Sequence, residues 1–101
     1  MHLQEVKKYL QIWEWTIDGF PGQMCKFLPN GVIDLYKGSK WNRQLFKYSL
    51  FQRGEDVIMK ILPPWHQNHG ELKVEVVKNH IRLTSLVDSS DVLTLIRLVI
   101  K

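Results

Sequence analysis

The feature that most constrains the fold of this chain is a repeated alternation of apolar and polar residues, interrupted at short intervals by turn-forming residues. About eight such segments follow one another at intervals of roughly ten residues. Residues 70–76 show the cleanest alternation, because charged side chains separate Leu72, Val74 and Val76. Pro-Asn-Gly at residues 29–31 favours a tight hairpin turn. Because no connection is long enough to cross between parallel strands, the pattern predicts an all-β antiparallel meander that closes into a small barrel.

The N-terminal residues depart from this alternation and show a helical spacing. Leu3, Val6 and Leu10 lie three and four residues apart, which predicts about two turns of amphipathic helix. The chain contains no alanine, the best helix former, whereas strand-forming Val, Ile, Thr and aromatic residues are plentiful. Its 101 residues leave room for one hydrophobic core. We therefore expect residues 1–101 to form a single β-barrel domain with a short N-terminal helix.

The number of cysteines and the hydropathy of the chain indicate the cellular compartment of the protein. Cys25 is the only cysteine, so no disulfide can form within the chain, although small secreted domains usually need such bonds. The sequence starts without an apolar leader segment, and no apolar run reaches the length of a membrane span. We expect a soluble, cytoplasmic protein that does not bind a membrane.

Residues with catalytic or metal-binding chemistry form no diagnostic motif. There is no nucleophile elbow and no glycine-rich phosphate loop, and Cys25 is typical of a small core residue. His66 and His69 lie in a predicted solvated loop and are weak metal candidates, because two imidazoles do not make a zinc site. Asp88 and Asp91 flank two serines in a turn, where Asx hydrogen bonds account for them. We expect no enzyme activity, no cofactor and no metal.

Residues 37–53 combine cations with aromatic residues and lack any acid, which is the best argument for binding a single-stranded nucleic acid. The cations are Lys37, Lys40, Arg43, Lys47 and Arg53. However, Phe46 and Tyr48 share a predicted inward face with Leu50, which leaves only Trp41 to stack on bases. Nucleic-acid binding is therefore less favoured than binding of a small apolar ligand or of a protein partner.

The order of several short motifs resembles the lipocalin-like (calycin) small barrels. These motifs are Trp13-Glu14-Trp15, Phe27 to Gly31, Phe46-Lys47-Tyr48, Ile81 to Thr84 and Leu95-Ile96-Arg97-Leu98. The resemblance implies a lipocalin-like barrel and a small-molecule ligand. It also implies that Trp13 packs under Arg97 and closes one end of the barrel.

An aromatic-rich interior suggests a non-catalytic binding module that holds a small apolar ligand. The candidate lining residues are Trp13, Trp15, Met24, Phe27, Phe46, Tyr48, Met59 and Trp65. The alternative is a filled barrel that acts in protein–protein interaction or self-association. The volume of the interior decides between them, because a ligand pocket needs at least about 300 Å³.

The last predicted strand, residues 92–100, carries apolar side chains on both faces and must be covered on both. The short N-terminal helix can shield only part of it. We therefore predict a homodimer, since isologous pairing is the commonest way to bury such a surface. The candidate self-association residues are Val92, Leu93, Leu95, Ile96 and Leu98.

Overall fold

The fold is a closed antiparallel barrel of eight strands, paired in the order of the sequence, with one helix before the first strand. The computed structural model describes residues 2–64, 67 and 69–98, with only the backbone for residues 39–42. The elements are α1 Leu3–Ile12, β1 Glu14–Ile17, β2 Gln23–Phe27, β3 Val32–Lys37, β4 Ser39–Arg53, β5 Asp56–Leu62, β6 Glu71–Val77, β7 His80–Ser85 and β8 Val92–Arg97. The predicted all-β barrel and N-terminal helix are confirmed.

Strand β4, with 15 residues, is the longest of the described strands, because it pairs with two neighbours in turn. Its first part pairs with β3 and its second part with β5, so that Lys47 lies opposite both Val32 and Leu62. The barrel closes where β1 pairs with β8 through Trp15 opposite Arg97 and Ile17 opposite Leu95. Each of the eight described strands therefore has a hydrogen-bonded neighbour on either side over at least part of its length.

Successive connections in an antiparallel meander lie at alternate ends of the barrel. Helix α1 packs at the end that carries the turns at residues 28–31, 54–55 and 78–79, and the Tyr9 hydroxyl donates to the Lys78 carbonyl at 3.0 Å. Val6 and Leu10 of α1 are fully buried. We call this the capped end. The opposite end, where β1 connects to β2, β5 to β6 and β7 to β8, we call the open end.

The hairpin at residues 29–31 forms as its sequence predicts. Gly31 has a φ of +81°, which favours glycine, and its carbonyl accepts a hydrogen bond from the Tyr48 amide at 2.8 Å. A Cβ on Gly31 would lie 3.4 Å from the Tyr48 carbonyl oxygen, at the short limit of ordinary van der Waals contact, so the positive φ is the main reason that the position favours glycine. Among the described residues there is no helix with the length and apolar character of a membrane span.

Candidate functional site

The interior of the barrel is filled by side chains from all eight strands. Trp15, Phe27 and Met59, three of the predicted ligand-lining residues, are 0% exposed and belong to one continuous core cluster. A side chain that borders a water-sized space keeps accessible surface, and these three keep none. A ligand in their part of the barrel would have to displace core side chains.

The polar atoms of the interior aromatic residues are already bonded within the chain. The Trp15 indole NH donates to the Leu10 carbonyl at 3.1 Å. The Tyr48 hydroxyl donates to the Leu28 carbonyl at 2.8 Å and accepts from Gln11 at 3.0 Å. Burial raises the pKa of Tyr48, which keeps this hydroxyl protonated. These groups stabilise the capped end.

The remaining predicted lining residues are divided between several environments. Phe46 and Trp13 are partly buried against the core. The assignment of Met24 to the interior is wrong, because Cys25 and Phe27 are the buried residues of β2 and the alternation turns Met24 outward. Trp65 lies outside the described residues.

The predicted stacking of Arg97 on Trp13 is present at the capped end. The guanidinium carbon lies 4.3 Å from the centroid of the indole ring, within the range of a cation–π contact. Trp13 follows the last turn of α1 and Arg97 ends β8, so the contact joins the helix end to the seam at which the barrel closes.

The basic residues 37–53 lie mainly on β4, and two of their cations contact acids on neighbouring strands. Arg43 contacts Asp34 at 3.0 Å, and Arg53 contacts Glu71 at 3.8 Å. Tyr48 is buried, as predicted. The side chain of Trp41, the predicted stacking residue, lies outside the described part of the chain.

Of the residues considered for metal binding or reactivity, His69 and Cys25 are both buried. His69 is 8% exposed and contacts Asp91 at 3.0 Å, so the prediction of a solvated side chain is wrong for this residue. His66 lies outside the described residues, and those described contain no group of three metal-ligating side chains. Burial and the nearby Asp34 carboxylate raise the pKa of the Cys25 thiol, which disfavours the reactive thiolate.

The last strand has an inner and an outer side, which corrects part of the predicted dimer surface. Leu95 is 0% exposed and Leu93 packs against the core, so both belong to the barrel interior. Val92 and Ile96 are exposed on the outside, at 42% and 41%. Leu98, just beyond β8, is half-buried. Residues 99–101, which include the end of the predicted strand, lie outside the described residues.

A groove on the outer surface at the open end brings apolar residues from two loops beside a strand. It has a volume of about 460 Å³. Its apolar lining includes Leu62, Pro64, Leu86 and Val87. Leu62 is 55% exposed and Val87 is 76% exposed, so this lining faces solvent. We call this feature the open-end groove.

The loop that carries Leu86 and Val87 is held by its own hydrogen bonds. The Ser85 hydroxyl oxygen accepts from the amides of Val87 and Asp88 at 3.1 and 3.2 Å. The Asp88 carboxylate accepts from the amide and the hydroxyl of Ser90, which confirms the predicted Asx bonding there. These bonds lower the pKa of Asp88. The backbone of the exposed Val87 is thus held by hydrogen bonds within its own loop.

Two further contacts join this loop to residues 69 and 71, at the start of β6. His69 contacts Asp91 at 3.0 Å, and the Leu86 amide donates to the Glu71 carbonyl at 3.2 Å. The first contact could not be predicted from the sequence, because nothing in the local pattern shows that residues 69 and 91 meet. Both contacts hold the two walls of the open-end groove together.

Charged residues border the groove. Arg53, Lys60 and Glu71 line it together with the apolar residues. Glu71 contacts Arg53. Among the described residues, no carboxylate lies within ion-pair distance of Lys60. The groove therefore combines an apolar lining with Lys60, which lies across the strand pair from Glu71 but forms no ion pair with a described carboxylate. Comparisons of the chain with family models, curated proteins and solved structures found no match.

Proposed function

We propose that this chain is a non-catalytic interaction module that binds a protein partner through the open-end groove. The observation that carries the proposal is the contrast between a filled interior and an ordered, exposed apolar groove outside it. Exposed apolar patches with polar borders are typical of interaction sites. The barrel is then the scaffold, and the loops at its open end form the working surface.

Three further expectations belong to this proposal. The lipocalin-like resemblance is retained for the barrel and for the Trp13–Arg97 contact. A cytoplasmic location is supported by the thiol of Cys25, which is buried and needs no partner cysteine. The alternative, a small apolar ligand inside the barrel, is less favoured because Trp15, Phe27 and Met59 fill that space.

Selection of peptides from a displayed random library on the immobilised protein tests the proposal. Selected peptides should lose binding to Leu62→Lys, because the substitution places a charge in the apolar lining. Ile12→Lys is the matched control, since Ile12 is exposed to a similar degree, 59% against 55%, and lies in the helix at the capped end. Equal binding to both variants would place the interaction elsewhere.

An apolar fluorescent probe distinguishes a ligand site inside the barrel from binding at the open-end groove. Binding of 8-anilinonaphthalene-1-sulfonate that survives Leu62→Lys, with nuclear magnetic resonance shifts confined to the interior residues Phe27 and Met59, would indicate a ligand site within the barrel. That result, together with a failure to select any peptide, would overturn the proposal.

A further inference from the structure

The loop that carries Val87 lines the open-end groove and also has side chains that are complementary to the groove. Val87 is 76% exposed, and the next residue, Asp88, is an exposed anion. The groove offers Leu62, an exposed apolar residue, and Lys60, which forms no ion pair with a described carboxylate because the carboxylate of Glu71, opposite it, contacts Arg53. An apolar side chain followed by a carboxylate is therefore complementary to Leu62 and Lys60.

We infer that the protein partner is a second copy of this chain. In a two-fold arrangement, Val87 of one copy packs on Leu62 of the other, and Asp88 of the first pairs with Lys60 of the second. Because the contact is isologous, it occurs twice in each dimer. This inference rests on the proposed function and names the partner for the same groove.

The closed barrel determines the kind of association that is available. Each described strand pairs with a neighbour on either side, so we expect two copies to join through side chains rather than by extending a sheet. The loop bonds at Ser85 and Asp88 order the contacting residues before association, which lowers the entropy cost of binding. Since the groove is small, we expect a weak dimer with a dissociation constant in the micromolar range or above.

Sedimentation equilibrium over a range of concentrations measures this association. Val87→Asp should raise the dissociation constant by about tenfold or more, because it places a carboxylate against Leu62. Ile96→Lys is the control and should leave the dissociation constant unchanged, since Ile96 pairs with His80 near the capped end and does not line the groove. If Ile96→Lys dissociates the dimer and Val87→Asp does not, the inferred surface is wrong and the outer face of β8 is the interface.

A charge exchange tests the ion pair directly. Lys60→Glu should weaken the dimer by about tenfold, and Asp88→Lys should do the same. The double variant with both changes should recover most of the loss, because the two charges are then exchanged. Asp88→Asn is a further check that keeps an acceptor for Ser90 while removing the charge. A double variant as weak as the product of the single losses would overturn the pairing.

The result also separates this inference from the proposed function. A chain that stays monomeric at every concentration, yet binds displayed peptides in a way that depends on Leu62, would refute the second copy as the partner and retain the groove as an interaction site. A monomer that binds no peptide would refute both.

Discussion

At the capped end, a contact between two side chains joins the end of helix α1 to the last strand. Arg97 ends β8 and stacks on Trp13 at 4.3 Å, next to the pairing of β8 with β1. The contact links the two ends of the chain at the closure of the barrel. Its energy depends on how far the guanidinium is shielded from water, and Arg97 is half-buried.

We expect Arg97→Ala to lower the free energy of unfolding by about 0.5–2 kcal/mol, because the cation–π contact is lost. Urea unfolding followed by tryptophan fluorescence measures the change. Arg97→Lys keeps the charge but not the planar group, and should fall between the wild type and the alanine variant. An unchanged unfolding midpoint for Arg97→Ala would show that the stacking does not stabilise the barrel.

Strand β8 shows how one element can be apolar on both sides and still belong to a closed barrel. Leu95 contributes to the core, whereas Ile96, one residue later, faces outward and is 41% exposed. The two positions are adjacent in sequence, yet their surroundings differ because successive strand residues point to opposite faces.

Leu95→Lys and Ile96→Lys are therefore a matched pair. Leu95→Lys should unfold the protein or lower its stability by several kcal/mol, since it buries a charge without a partner. Ile96→Lys should change stability by less than about 0.5 kcal/mol, as is usual for surface substitutions. Circular dichroism during thermal unfolding distinguishes the two, and equal effects would contradict the assigned orientation of β8.

At the scale of the whole molecule, side chains from all eight strands pack in the interior of the barrel. Met59 is 0% exposed at the centre of β5 and contributes to the same core cluster as Trp15 and Phe27. A barrel with this core resists insertion of a ligand, because its interior atoms are already in contact.

Met59→Ala tests this packing. Removing the side chain should lower stability by about 2–5 kcal/mol and leave a cavity. The variant should bind a small apolar molecule such as benzene, whereas the wild type should not. Nuclear magnetic resonance shifts on addition of benzene provide the measurement. Binding of benzene inside the wild-type barrel would show that the interior has more room than its buried side chains indicate.

The sequence by itself determined the strands, the hairpin at residues 29–31 and the N-terminal helix. These features depend on local chemistry: alternation selects strands, Asn-Gly permits positive φ, and spacings of three and four select a helix. It also predicted that Phe46 and Tyr48 share the face of Leu50, since residues two apart in a strand point to the same side.

Only the tertiary structure decided which face each strand buries and which loops meet. Alternation leaves the inner face open when both sides are apolar, as in β8, and it misplaced Met24 relative to Cys25. The contact between His69 and Asp91, and the groove between Leu62 and Val87, join residues far apart in sequence. Their distances depend on the pairing register and closure of the whole barrel, which no local pattern contains.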